Sequence, residues 1–525
     1  MNYDKAYIAG GGLAGLATAC YLTTDSTIEP GKITLYDSST YVGGSLDALD
    51  LSYENHYFMR GFRMLESKVY SAFFDLISKI PLNESSDKTL LDDFIDFNRE
   101  VKTFSQSRLV EAGRAINARQ FKLKFSDRIK ILHLLTKPES AIELLTIRDF
   151  FSPSFFSSNF WLEFSTTFSF QPWHSVEEFK RYILRFIQCS PVLDSQTCIR
   201  STRYNQYDSV VLPAQKYLQR KGVNFVYNSH ITNADFHESC GKLSIKSLEI
   251  TVDGNKSRQS IAKNDLVILT LGTMTAWHST GTMHSPPPPP TKTDACEWNL
   301  WKNISKISDE FGRPEVFLSD TQASQWVSFT ITFSNPVFFD LLKKITRTKA
   351  GCEGPVTIKD SNWLISFALP NHPHFVNQPE NLQILWGYGM HSNTPGNFVK
   401  KPLPECSGAE ILFELIHHLK FEHKLNEIMQ GATCVPCLLP LITSQFSPRR
   451  KTDRPAVVPA CAGNFAFIGQ YCDIPDDIVF TLEYSVRSAQ MAVYTHLNRP
   501  EKVTPIYKGW HRLSHLFDAF RTAFR

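Results

Sequence analysis

The chain has 525 residues, 42% of them hydrophobic, with 55 basic against 52 acidic side chains and a formal charge of +3. That length supports more than one core, roughly two to four domains at about 150 residues each. The balanced charge offers no global field for nucleic acid, and eleven scattered cysteines exclude a dense disulfide scaffold.

In chain order, residues 6–9, AYIA, predict a short buried strand. The glycine run after it turns the chain into a helix, and KITLYD at 32–37 predicts the next strand. This βαβ unit argues for a doubly wound parallel sheet. Val69, Phe73, Leu76, Ile77 and Ile80 recur at helical spacing. Residues 85–200 read as mostly helical and aromatic. VNFVYN, LSIKSLEITVD and DLVILTLG then read as strands. SPPPPPT at 285–291 can continue neither a helix nor a central strand, so it is expected as an exposed loop or insertion. WVSFTITF, NWLISFAL and LQILWGYGM predict strands, residues 409–421 a helix, and residues 464–497 a strand, a loop and a helix. The 39 phenylalanines, clustered in stretches such as FFSPSFFSSNFWLEF, suit large cores first and a pocket for a long apolar molecule second.

Gly10, Gly12 and Gly15 form G-x-G-x-x-G, with Leu13 and Ala14 opening the helix. The first glycine permits the tight turn, the second lets backbone approach a pyrophosphate, and the third lets helix and strand pack closely. The helix N-terminus offers free N–H groups and the positive end of its dipole. Asp37, ending the second strand, can accept from ribose hydroxyls. Context makes this a dinucleotide site rather than a bare glycine turn. Two features favour FAD over NAD. A second glycine loop, Gly43, Gly44 and Ser45, follows Asp37, and a late strand–Gly469–helix segment containing Ser485 returns to close the site. The fold class expected is α/β (α+β), a Rossmann-like FAD-binding domain discontinuous in sequence.

The expected divisions are 1–66 for the first part of the FAD domain and 67–200 for a helical lid. Residues 201–285 are expected to return to the FAD domain, and 286–430 to form a substrate domain. Residues 431–498 close the site, and 499–525 form a tail. Cys434 and Cys437, the only close pair, lack the further ligands of a zinc site and the context of a redox motif. The cysteines are expected as buried thiols, with no metal. No secretory pattern opens the chain and no run of about 20 apolar residues occurs, so a reducing, cytoplasmic setting is expected.

The sequence resembles the oleate hydratases, the family also labelled myosin-cross-reactive antigens. The carriers are GGSLDA, FWLEFSTTFSFQPWHSVEEFKRYILRFI, YNQYDSVVLP, WGYGM, ITSQFSPR and FIGQYCDIPDDIVFTLEYSVRSAQMAVY, spread over nearly the whole length. The resemblance implies bound FAD and addition of water to a cis double bond of a long-chain unsaturated fatty acid, such as oleate or linoleate. It implies a tyrosine acid in YNQYDS, first Tyr207 and second Tyr204, with Gln206 beside the substrate. It also implies cofactor contacts from Arg60 and Arg63. The family's water-activating glutamate lies in RGGREM, where this chain reads RGFRML, so Met64 stands where the acid is expected. Asp208 and Glu66 are candidate substitutes. The fatty acid carboxylate is expected at Thr443 and Gln445, with Arg449 as its charged partner; the alternative for Arg449 is a solvated basic cluster with Arg450. Methionine at 64 and the short N-terminus point to the monomeric branch.

Other readings are a flavin oxidoreductase or isomerase on the same fold, or a lipid- and FAD-binding protein without turnover. In the tail, Trp510, Leu513, Phe517, Phe520 and Phe524 fall on one helical stripe, with Arg512, Arg521 and Arg525 adding charge. A basic amphipathic helix suits peripheral contact with a membrane; the alternative is a helix packed on its own protein.

Overall fold

The computed structural model describes residues 3–51, 56–290, 296–347, 349–352 and 354–524. Arg525 and Thr291 of the features above lie outside the described residues.

Five parallel strands form the first sheet, in the order Phe465–Ile468, Asp265–Thr270, Lys5–Ala9, Ile33–Tyr36, Asn224–Val226. Its members come from both ends of the chain and the middle, so the domain is discontinuous. The central strands are buried on both faces, as with Ile8, Val267 and Ile268, which is why they read as continuous apolar runs. The helices Leu13–Asp25 and Leu482–His496 pack together on this sheet, with the Tyr21 and Tyr494 rings 5.6 Å apart. A three-stranded antiparallel sheet, Ser229–Ser239, Lys242–Val252 and Asn255–Ser260, is inserted between sheet strands.

The second large sheet has eight strands, centred on Ala432–Leu439, Trp326–Phe333, Gln383–Gly389 and Ile365–Ala368. Gly387 lies under the Phe329 ring, so close that a Cβ there would come within 2.4 Å of it. The far edge of this sheet is the hairpin Leu109–Glu111 and Arg114–Ile116. The 67–200 stretch is therefore not wholly helical. Its hairpin turns at Ala112 and Gly113, both with positive φ.

The helices Asn159–Phe168 and Val176–Arg185 carry Phe160, Phe164, Phe168 and Phe179, and the rest of the phenylalanine cluster lies in the turns before them. Phe151 stacks on Phe155 at 4.0 Å and Phe164 meets Phe179 edge-on at 5.2 Å. Those rings are buried in the first sheet's core, so the core reading accounts for most of them. The proline run is largely exposed over residues 285–290. Cys434 and Cys437 sit buried on one strand, and burial pushes the Cys437 thiol up to about 12. Among the described residues no helix is long and apolar enough to cross a membrane.

Candidate active site

The larger cleft, about 1520 Å³ and open to solvent, lies at the carboxyl ends of the parallel strands, where open α/β sheets bind ligands. Gly10 (φ +96°) makes the turn out of the first strand, and Gly12 lines the cleft with nothing nearer its missing Cβ than Gly44 Cα at 3.9 Å. Gly15 does not line the cleft. A Cβ there would lie 1.8 Å from the Gly10 carbonyl oxygen, so it serves helix–strand packing. Leu13, Ala14, Asp37, Gly44, Ser45, Arg60, Arg63, Gly469 and Ser485 all line the cleft. Asp37 accepts from the N–H groups of Gly11 (2.6 Å) and Ser39 (2.8 Å). Gly43 bridges back to the first loop by donating from its N–H to the Gly11 carbonyl at 3.0 Å.

Three groups in the cleft are absent from the sequence reading. Asp47, nearly fully buried, pairs with Arg60 at 2.9 Å and accepts from the Tyr41 hydroxyl at 3.1 Å. Arg60 also donates to His278 Nε2 at 2.8 Å. Burial, reinforced by Arg60, pulls the imidazole down to about 4, so it is neutral and accepts. Asp47 follows the second glycine loop directly, which is its only sequence signal; nothing in the sequence pairs His278 with Arg60.

A second, smaller cavity adjoins the first and shares Arg60, Arg63, Phe480 and Thr481 with it. Its remaining walls are mostly apolar and aromatic: Phe62, Met64, Phe168, Phe186, Trp326 and Trp386 among them. Arg63 donates to the Ser45 carbonyl at 3.1 Å. Burial lowers its guanidinium to about 10, against the pull of Tyr70 and Asp47. A weakly paired cation thus stands where the two spaces meet.

Tyr207 opens a single π-helical turn, Tyr207–Val211, a distortion frequent at functional sites. Its ring lies against Gly43, 3.3 Å from where a Cβ would be, and meets Tyr41 edge-on at 6.3 Å. Tyr207 and Phe480 pack against both the parallel-sheet core and the neighbouring core around Trp326 and Met274. Burial, then Asp208 and Asp47, raise the Tyr207 phenol, so it keeps its proton at neutral pH. Gln206 donates to the carbonyl of Arg63 at 3.4 Å, tying this turn to the cationic loop.

Residues 3–494 match the MCRA family. The chain belongs to the MCRA family. An oleate hydratase from Streptococcus pyogenes is 36% identical over 99% of this chain and 90% of its own length. A linoleate hydratase from Lactiplantibacillus plantarum is 30% identical over 94% of both chains. Among solved structures, cyclohexylamine oxidase from Brevibacterium oxydans matches with a TM-score of 0.55 at 12% identity, over 95% of this chain and all of the other. That likeness concerns the fold.

Within this MCRA chain the other expected site residues divide. Met64 lines the second cavity. Tyr204 and Tyr207 are among the lining residues of neither space, although Tyr207 touches the loop above the first. Asp208 is turned away: its Oδ2 accepts from Asn205 Nδ2 at 2.8 Å and the Val376 N–H at 3.3 Å. Thr443 donates its hydroxyl to the Ser324 carbonyl, and Gln445 donates to the Ile442 carbonyl. Arg449 is neither solvated nor free. Its guanidinium is buried and pairs with Glu178 at 3.0 Å, alongside Arg454 at 2.9 Å from the same oxygen. Burial opposes the Glu178 charge, but Arg454, Arg449 and Arg181 outweigh it and hold the carboxyl below its ordinary value. An arginine spent on a buried acid is a packing element first.

Proposed function

We propose that the protein is an FAD-dependent hydratase that adds water across a cis double bond of oleate, linoleate or a similar long-chain fatty acid. The observation that carries this reading is the apolar second cavity that shares Arg60, Arg63, Phe480 and Thr481 with the dinucleotide cleft. Such a pairing sets an alkyl chain beside a cofactor ring, as a plain dinucleotide fold would not require.

The residues present fit FAD. Gly12 leaves the first loop without a side chain where a pyrophosphate would lie, Asp37 would face the ribose, and Arg63 offers a buried cation with no carboxylate within ion-pair distance among the described residues. When bound, the flavin supplies an electron-rich ring whose field favours a developing cation, with no net oxidation. Protonating an isolated alkene is the demanding step, because a phenol is a weak acid in water. The site therefore has to be dry and positioned. Tyr207, kept protonated and held between Gly43 and Tyr41, delivers the proton in this reading, with Tyr204 as the second candidate. Apolar walls exclude water from the chain, while Thr443 and Gln445 lie close behind Ile442 for the carboxylate end. Arg449 supports that end through Glu178 rather than as a direct partner.

The tail helix supports peripheral membrane contact. Leu513, Phe517, Phe520 and Phe524 are exposed, while Thr522 is buried against the body; Trp510 precedes the helix, in the turn Gly509–His511. The apolar stripe thus faces outward, with the Arg128 guanidinium 4.8 Å from the Phe524 ring. A substrate that dwells in bilayers gives this face a purpose. Incubating the flavin-loaded protein with oleic and linoleic acids, with a reductant present, should yield products heavier by one water in mass spectrometry. Unchanged fatty acids, with FAD bound, would count against the reading.

A further inference from the structure

Hydration also requires a group that takes a proton from the attacking water, and Met64 cannot do this because a thioether is only a weak acceptor. Among the described residues lining the second cavity, Glu66 is the only carboxylic acid. The hydroxyls of Tyr182, Tyr388, Thr166 and Thr167 in the same walls donate to carbonyl oxygens of the protein. They are committed donors, and none is a base.

Glu66 is built in firmly. It is 5% exposed and sits in a two-residue strand pairing with Ile199. Its Oε2 accepts from the N–H groups of Lys68 at 2.8 Å and Val69 at 2.7 Å. Its Oε1 has no hydrogen-bond partner among the described residues, although the side chain lines the cavity. One oxygen is thus an anchor and the other is free. Extended backbone brings residues two apart to the same side, and Met64 and Glu66 do line the same space. Burial raises the carboxyl, against the two N–H groups, Lys68 and Arg185. The competing acids are excluded by position: Asp208 is spent on Asn205 and Val376, and Glu163 does not line the cavity.

Resting on the hydratase reading above, we propose that Glu66 is the base of the reaction, taking the role that a side chain at 64 does not fill. The alkene π pair takes the proton of the Tyr207 phenol and forms the new C–H bond. The water oxygen forms the C–O bond, and its departing proton goes to Glu66 Oε1. That proton then returns through solvent to the tyrosinate, so atoms and charge balance with no oxidant or reductant consumed. The anchored oxygen fixes where the free one points, which is what a positioned base needs.

The test is steady-state hydration of oleic acid by the FAD-loaded full chain, comparing wild type, Glu66→Gln and Glu66→Ala over a pH series. Glu66→Gln should lower kcat by roughly two orders of magnitude, and the acid-side limb of the wild-type kcat profile should disappear. KM and flavin content should stay near wild type. Added formate should restore turnover to Glu66→Ala in a concentration-dependent way, which a purely structural anchor would not allow. Wild-type kcat in Glu66→Gln, an acid limb that survives the substitution, or a flavin-loaded Glu66→Ala that formate leaves inactive would each overturn the assignment. A wild-type protein that hydrates nothing would instead refute the hydratase reading itself.

Discussion

The glycine fingerprint makes a prediction that separates a ligand contact from a packing contact within one short loop. At Gly15 an added Cβ would lie 1.8 Å from the Gly10 carbonyl oxygen and 3.0 Å from its carbon. Both are backbone atoms at the head of the central strand, so no rotamer change relieves the clash. The helix Leu13–Asp25 would have to move outward by about 1 Å or more to reach tolerable contact, the kind of overpacking that costs about 1–3 kcal/mol. Alanine's better helix propensity returns only about 1 kcal/mol of that. At Gly12 the added Cβ meets only Gly44 Cα at 3.9 Å, an ordinary contact, and it projects into the cleft. Gly12→Ala should therefore leave the melting temperature of the flavin-free protein unchanged and weaken FAD at least about tenfold, a loss of about 1.4 kcal/mol. Gly15→Ala should lower the flavin-free melting temperature as well as flavin retention. Thermal melts of both apoproteins, with flavin titrations followed by fluorescence, decide it. Wild-type FAD affinity in Gly12→Ala, or an unshifted melt in Gly15→Ala, would refute the reasoning.

Tyr207→Phe should cut hydration by roughly two orders of magnitude or more, the scale of a positioned acid, while fatty acid still binds in a fluorescence displacement assay. Activity lost in Tyr204→Phe and kept in Tyr207→Phe would move the role to the first tyrosine. Glu163 is fully buried with both carboxyl oxygens unpartnered among the described residues, and burial raises it to about 8. A carboxyl with a raised folded value binds its proton more tightly when folded, so its contribution is present below the ordinary carboxyl range and is lost as pH rises towards about 8. Glu163→Gln should therefore flatten the fall in melting temperature between about pH 5 and pH 8, measured by calorimetry. Removing residues 509–525 should reduce binding to anionic liposomes while sparing flavin content and activity on detergent-dispersed substrate, as read by sedimentation and product analysis.

The parallel sheet and its glycine loops were legible because their signals are local: an apolar run, glycines at fixed offsets, an acid at the next strand end. The late strand Phe465–Ile468 was legible for the same reason, and it joins the sheet of the first strand with Asp265–Thr270 between them. The hairpin at Leu109–Ile116 was not, since three-residue strands carry no periodicity and only the AG turn marks them. The Asp47–Arg60–His278 arrangement and the Arg449–Glu178 pair join residues far apart in sequence. An arginine that reads as a carboxylate partner gives no hint of which carboxylate it meets. The exposed face of the tail helix was readable as a stripe, but whether that stripe pointed inward depended on how the turn Gly509–His511 directs it.

The central claim is that water, and not oxygen or a hydride acceptor, supplies what is added to the fatty acid. It is tested most directly by running the reaction with oleic acid in heavy-oxygen water under ordinary air and analysing the product by mass spectrometry. The account predicts a hydroxy fatty acid whose new hydroxyl carries the heavy label, with no stoichiometric oxygen uptake and no peroxide. A hydroxyl bearing the light isotope, or product formation that tracks oxygen consumption, would contradict it.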